Sequence, residues 1–277
     1  MSTVRVGMRW AAAAATVLPL LAVTACGGGS SEPESDDSMG LVEPGVLTVC
    51  TTMPAPPFEF EEGGEAKGLE IDLARALAEK LEVEPEFINS PFESIQSAAA
   101  LETGQCDIAL AAMTVTEERE SKMLFSDSIV YDNLALMAKK DAGFTSLDDM
   151  GDAKVGVQDA TTSSEFAAER GLNTVQFEAS SLLQQSLQAG QIEAGIANIS
   201  LVLAVMQADD SVELVEGFDT DEHLAAAVQL DGSPVLDEFN ALLAEMREDG
   251  SYDELVEEWF EDAAEPAKVP AEEASRD

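Results

Sequence analysis

A single guanidinium stands in the run Ala109-Leu110-Ala111-Ala112-Met113-Thr114-Val115-Thr116-Glu117-Glu118-Arg119-Glu120. The run opens as a buried apolar strand, passes through hydroxyls and ends in acids around Arg119. Such a strand end gathers threonine hydroxyls, free backbone N–H groups and a cation, which suits a ligand carboxylate. The planar fork of arginine holds a carboxylate through two parallel hydrogen bonds. In open α/β sheets, ligands collect at the carboxyl ends of strands. Taken alone, the run reads equally well as a strand followed by a solvated helix start, with Arg119 in a surface ion pair. The remainder of the chain has to decide between them.

Catalytic chemistry finds little to work with. General acid–base catalysis needs positioned groups within hydrogen-bond reach, and the sequence nominates no nucleophile–base pair. No metal-ligand cluster stands out, and the one histidine, His223, is isolated beside an extended stretch. Neither a metal nor a cofactor is expected.

Length and charge set the frame. A chain of 277 residues forms one large domain or two smaller ones around a substantial core. Its 55 acids against 14 bases leave a net charge of −41, which argues against binding nucleic acid or an anionic membrane by charge. Arg5 and Arg9 precede an apolar stretch from Ala11 to Val23. That stretch is too short and wrongly flanked for a stable membrane span, and reads as an export signal. It ends in Val23-Thr24-Ala25-Cys26, which resembles a bacterial lipobox and would make Cys26 the lipid-modified first residue of the mature chain. An ordinary signal peptide cut after Ala25 is the alternative. The polar, glycine-rich stretch from Gly27 to Asp37 is expected to be a flexible leash. Cys50 and Cys106 remain, either as a disulfide of an oxidising compartment or as two buried thiols.

The elements that must position Arg119 follow from periodicity. Val46-Leu47-Thr48-Val49-Cys50 is a strand that empties into a proline-rich loop, since proline cannot continue a ladder. Phe58-Glu59-Phe60 resumes extended structure, and Glu62-Gly63-Gly64 turns it. From Ile71, Leu73, Leu77 and Leu81 recur at four-residue steps and predict an amphipathic helix. A strand from Val83 to Ile88, a helix from Ser90-Pro91 to Gly104 and a strand from Asp107 to Met113 follow. The rhythm restarts with strands at Lys154 to Val157, Thr174 to Phe177 and Ile192 to Ile199. Helices from about Glu165 and from Ser180 or Ser181 separate them. Apolar strands alternating with amphipathic helices imply mostly parallel sheets covered on both faces, in two α/β units. Extended stretches at Leu134 to Ala138 and Leu224 to Val228 lie between the units. A helix striped by Leu236, Phe239, Leu243 and Met246 comes next, then one carrying Tyr252, Leu255, Trp259 and Phe260. The Ala/Glu/Pro-rich tail from Ala263 is expected to fray.

Eight short segments carry a further signal. They are Pro57-Phe58-Glu59-Phe60, Gly68-Leu69-Glu70-Ile71-Asp72-Leu73, Met113 to Arg119, Phe125-Ser126-Asp127-Ser128, Ser146 to Met150 with Lys154-Val155-Gly156-Val157, and Asp249-Gly250-Ser251-Tyr252 with Glu258-Trp259-Phe260. Each is weak alone. Their order and spacing, over about Gly45 to Asp262, resemble the extracytoplasmic solute-binding proteins of polar amino-acid ABC transporters. The resemblance implies a two-lobed α/β fold of periplasmic-binding-protein type II, each lobe a mostly parallel sheet flanked by helices. On that plan residues 1–25 are a signal peptide and 26–44 a tether. The first lobe is 45–133 plus 227–262 and the second 139–221, with 134–138 and 222–226 as hinge strands and 263–277 as a disordered tail. It also implies a monomeric lipoprotein held by Cys26 to the outer face of the cell membrane. Such a receptor delivers a small carboxylated solute, most simply an amino acid, to an ABC permease.

By the same resemblance Arg119 grips the solute α-carboxylate beside Thr114 and the backbone at Ala112. Thr161 and Thr162 supply a helix start whose N–H groups and dipole favour an anion, and Phe92 is an aromatic wall. Three positions depart from the family pattern. The aspartate that takes the α-ammonium is Asn198, the aspartate after the first strand is Thr52, and the aromatic platform beyond it is Ala55. Losing a buried ion-pair partner costs on the order of 3–5 kcal/mol. Either another acid substitutes, Asp159 or Glu222, or the solute lacks a free ammonium. In the latter case Gln158 and Asn198 suit the neutral groups of a compatible solute or modified amino acid. A dehydratase of small acids on the same fold is the alternative of another class.

Overall fold

The computed structural model describes residues 39–275. The expected signal peptide, Cys26 and most of the tether lie outside the described residues. Strand β1 (Val46–Thr51) leads through the proline-rich loop to a hairpin of β2 (Phe60–Glu62) and β3 (Glu65–Lys67). Helix α1 (Leu69–Lys80), β4 (Glu84–Asn89), and the short helices α2 (Phe92–Gln96) and α3 (Ala99–Glu102) come next. Then follow β5 (Ile108–Ala109), the one-turn α4 (Glu117–Glu120), β6 (Met123–Phe125) and β7 (Val130–Tyr131). The chain crosses into β8 (Leu134–Lys139), β9 (Lys154–Gln158), α5 (Thr162–Glu169) and β10 (Asn173–Phe177). Helix α6 (Ser180–Gln188), β11 (Ala194–Asn198), α7 (Ile199–Ala208) and β12 (Val212–Phe218) complete the second lobe. The return runs through β13 (His223–Leu224) and β14 (Ala227–Gln229) into α8 (Pro234–Asp249) and α9 (Ser251–Phe260). Two four-residue helices, α10 (Ala264–Ala267) and α11 (Ala271–Ala274), close the described chain.

Each lobe is built on one five-stranded sheet. The first has the order β4-β1-β5-β14-β6, parallel from β4 to β5 and antiparallel where β14 enters. The second has the order β10-β9-β11-β8-β12, with β8 and β12 antiparallel to their neighbours. Leu47, Val49 and Ile108 meet Leu73, Leu77, Phe239 and Val256 on one face of the first sheet. Cys50, Phe92, Ile95, Leu101, Cys106 and Met113 cluster on the other. Of the two fates open to the cysteines, the disulfide is the one formed, with Cα atoms 5.6 Å apart. Cys106 lies in the loop ahead of β5, outside the ladder, so strand register does not hold it away from Cys50.

Four expectations change. The helix expected from Ser90 to Gly104 is two helices, broken where Ala98 takes a left-handed φ of 67°. The break lets Ile95 and Leu101 face one core. The strand expected from Asp107 to Met113 is regular only over Ile108–Ala109, because Ala112 turns with φ 46°. Residues 134–138, expected as a hinge strand, are built into β8, which pairs on both edges; all five side chains are buried, so core pairing wins. The crossings lie just outside it, where Asn133 Oδ1 accepts from the backbone N–H groups of Thr220 at 3.2 Å and Glu222 at 3.1 Å. The tail from 263, expected to be disordered, docks on the first lobe through buried Ala264, Ala267, Val269 and Ala274. Tyr252 Oη accepts from the Val269 N–H at 3.0 Å and donates to Ile129 O at 2.8 Å, and Tyr131 Oη donates to Glu273 at 2.6 Å.

Candidate functional site

The Thr114 segment owes its position to the returning strand. Ala225 donates to Met113 O at 3.2 Å and Val115 to His223 O at 3.0 Å, with Thr114 bridged to Leu224. That pairing seats Thr114 beside Glu222, and Thr114 Oγ1 donates to Glu222 Oε2 at 2.8 Å. Thr162, at the start of α5 in the second lobe, donates its hydroxyl to the same oxygen at 2.8 Å. Asn198 Nδ2 stands 3.4 Å from it. Glu222 is buried, held by hydroxyls from both lobes.

Arg119 sits on α4, whose cap Thr116 accepts the Arg119 N–H at 3.2 Å. Its side chain is only 5 % exposed. Nη1 donates to Thr114 O at 2.6 Å and Nη2 to Ala160 O at 3.0 Å, across the lobe boundary. The guanidinium carbon lies 5.2 Å from the centre of the Phe92 ring, within cation–π range. Burial lowers the pKa of Arg119, and the acids Glu165, Glu222 and Glu118 oppose that shift. Arginine remains a cation under such pressure. Two backbone carbonyls thus take donors from a fork that carries five.

Asn198 ends β11 and donates from Nδ2 to Asp132 O at 2.6 Å. A carboxylate at position 198 would face Glu222 across that 3.4 Å gap, whereas the amide donates to it. Of the two acids offered as substitutes for one at 198, Glu222 is the one that stands beside Asn198. Asp159, the other candidate, is exposed and accepts from the Ala160 N–H of its own loop at 3.0 Å. Thr161 spends its hydroxyl locally, accepting from the Ser164 N–H at 3.3 Å and donating to Gln158 O at 2.7 Å.

Thr52, Ala55, Phe92, Ala112, Gln158, Thr161 and Asn198 line a cavity of about 60 Å³ between the lobes. Arg119, Thr114, Thr162 and Glu222 lie outside its wall, as an adjoining cluster joined to it through Phe92 and Asn198. Sequence reasoning passed over Asp132, which lines the same cavity. Asp132-Asn133 between two apolar runs reads as an ordinary turn. Its carboxylate accepts from the Ser200 N–H at 3.0 Å and from the Ser200 hydroxyl. Burial pushes its pKa up to about 7 against the Ser200 bonds, and Glu222 adds to the rise. A larger groove of about 480 Å³ lies between α7 and α9, against Leu203, Met206, Trp259 and Phe260. No basic residue lines it, so the smaller cavity with Arg119 beside it is the better carboxylate site.

Solved structures with this fold are numerous. The family model described as bacterial extracellular solute-binding proteins, family 3, matches residues 47–262. The arginine-binding extracellular protein ArtP of Bacillus subtilis (strain 168) is 30% identical over 245 residues, covering 86% of this chain and 92% of the relative. An ancestral arginine-binding protein, solved bound to arginine, superposes with a TM-score of 0.72 at 35% identity. That match covers 78% of this chain and 98% of the other. An ancestral amino acid-binding protein, described as a precursor of cyclohexadienyl dehydratase, gives a TM-score of 0.73 at 33% identity. It covers 78% of this chain and 96% of that one.

Proposed function

We propose, from a chain that belongs to the bacterial extracellular solute-binding proteins of family 3, that its cleft captures a free α-amino acid and delivers it to an ABC importer. The observation that carries this reading is that a buried cation and a buried acid, Arg119 and Glu222, both bond to Thr114. An α-amino acid carries one charge of each sign on two groups bonded to the same carbon and needs such a pair. Its carboxylate takes the guanidinium donors now given to the Thr114 and Ala160 carbonyls. Its ammonium takes the place of the Thr114 and Thr162 hydroxyls on Glu222, and Asn198 donates to the same acid. The cavity of about 60 Å³ is far below the ~300 Å³ at the small end of ligand pockets, so the lobes part to admit the solute. They hinge at 131–133 and 219–222, and closure removes water and strengthens each charge-assisted bond.

Cys26, in Val23-Thr24-Ala25-Cys26, carries the lipid that holds the receptor at the outer face of the membrane. The protein acts as a monomer, and the permease reads the closed form. It binds its solute without turning it over. The arginine-binding relatives make L-arginine the first probe. The test is thermal unfolding with a panel of amino acids and compatible solutes, since whatever binds only the folded state raises the midpoint. One or a few α-amino acids are expected to do so, and the solute is expected to be recovered unchanged. If none stabilises the protein while a solute without a free ammonium does, Gln158 and Asn198 become the recognition groups instead. No stabilisation by any of them would sink the reading.

A further inference from the structure

Glu59 and Glu70 are both completely buried and take no part in the contacts around Arg119 and Glu222. Gly68 brings them together. It holds φ 129°, and a Cβ there would collide with the Phe58 carbonyl group. The Phe58–Glu59 backbone can therefore lie on the start of α1, where Leu69 donates to Pro57 O at 3.0 Å and Glu70 to Phe58 O at 3.1 Å. The two carboxyl groups then face each other inside the first lobe. Glu70 Oε2 accepts the Ala112 N–H at 2.8 Å. Ala112 is the left-handed residue in the cavity wall. The Thr52 N–H faces the Glu59 carboxyl and opposes the rise in its pKa, and Thr52 lines the same cavity. Both oxygens of Glu59 and Oε1 of Glu70 have no other donor among the described residues. Two carboxylates cannot both stay ionised in such a dry space, whereas one proton between them turns one partner into a donor.

We infer that Glu59 and Glu70 are positioning residues for solute capture: one shared proton joins them into a clamp that fixes the cleft floor at Ala112 and Thr52. The inference rests on the amino-acid reading of the cleft. The groups that face the pair are few. On α1, Asp72 and Arg75 pair with each other at 3.0 Å. From the turn after β5 comes the Ala112 N–H, and from the loop after β1 the Thr52 N–H. Arg119, the cleft cation, donates to Thr114 and Ala160 instead. No lysine, arginine or histidine among the described residues bonds to either carboxyl group. Burial raises Glu70 to about 7 and Glu59 well above the ordinary carboxylate range, with repulsion from Glu70 adding to the latter. Rising pH removes the shared proton and leaves two repelling carboxylates under the floor.

The test is calorimetric titration with L-arginine across about pH 6 to 9 on the full chain, as wild type, Glu59→Gln and Glu59→Ala. The amide resonances of Ala112 and Thr52 are followed over the same range without solute. Wild-type affinity is expected to fall by up to about tenfold per pH unit above the apparent pKa of the pair. Glu59→Gln, with an amide N–H where the shared proton lies, is expected to keep the affinity that the wild type loses at high pH. Glu59→Ala is expected to bind weakly throughout. Equal pH profiles for wild type and Glu59→Gln, or an Ala112 amide that does not titrate, overturn the inference and leave solute capture standing. If L-arginine binds none of the three, capture of that solute fails. The two amide titrations, present in wild type and absent in Glu59→Gln if the clamp is real, then decide the inference by themselves.

Discussion

Arg119 of the first lobe donates from Nη2 to the carbonyl oxygen of Ala160 in the second, at 3.0 Å. One side chain thus fastens the lobes, and in the proposed mode of capture the same side chain is the cation for the solute carboxylate. Arg119→Ala is expected to remove the solute-induced rise in unfolding midpoint, because losing a buried charged partner costs about 2–5 kcal/mol of binding. Arg119→Lys keeps the charge and loses the fork, so it is expected to fall between the two. Affinity unchanged in both variants would take Arg119 out of the site.

Glu222 tests the origin of the second charge. Glu222→Gln is expected to weaken amino-acid binding by a similar factor and to leave solutes without an ammonium unaffected. Asn198→Asp alone sets two acids where 3.4 Å now separates donor from acceptor, and is expected to weaken binding as well. Joining the two changes moves the acid back to position 198 and is expected to restore much of the affinity. Calorimetry on the four proteins measures this as a double-mutant cycle.

Stability is expected to fall as pH rises from about 4.5 towards 7. Glu70 and Asp132 have folded values near 7 against ordinary values of 4.5 and 3.8, and Glu59 is raised as well. In that window the unfolded chain releases protons that the folded chain retains, so ionisation favours unfolding. The lowered carboxylates, such as Asp149, are exposed and screened by water. Urea midpoints at pH 5 and pH 8 give the sign, and Asp132→Asn is expected to flatten the slope. A midpoint that rises over this interval would contradict the assignment.

The Cys50–Cys106 bridge spans 56 residues of chain and closes the loop that carries α1, β4 and Phe92. Restricting that loop in the unfolded state is worth about 2–4 kcal/mol. Reduction, or the double change to alanine, is expected to lower the urea midpoint accordingly with the solute absent. An unchanged midpoint would show that the core holds this region without the bond.

The central strands of both sheets are legible in the sequence because they are apolar runs, and α1 carries a clean stripe at Leu73 and Leu77. The edge strands β6 and β12, short or mixed with acids, and helix α7 are not. What escapes is decided by contact at a distance. Ala98 and Ala112 adopt left-handed backbone without the glycine that would announce it, so the split helix and the shortened strand carry no local signal. Asp159 and Glu222 have equal claims as acids until the 113–115 segment is laid beside 223–225. Glu59 reads as one polar residue between two phenylalanines, and only the close approach at Gly68 reveals its partner. The tail lacks periodicity, but its alanines and Val269 fill a surface that other elements create.

The two passages of the chain between the lobes are stitched to a single side-chain oxygen, Oδ1 of Asn133. Everything from 133 to 222 consequently starts and finishes at one spot, like a cartridge on a common socket. The matching stretch of a relative with another preference would plug into the same framework. Gln158, Thr161 and Asn198 would travel with it, and with them the second lobe's part of the cavity wall proposed to receive the solute.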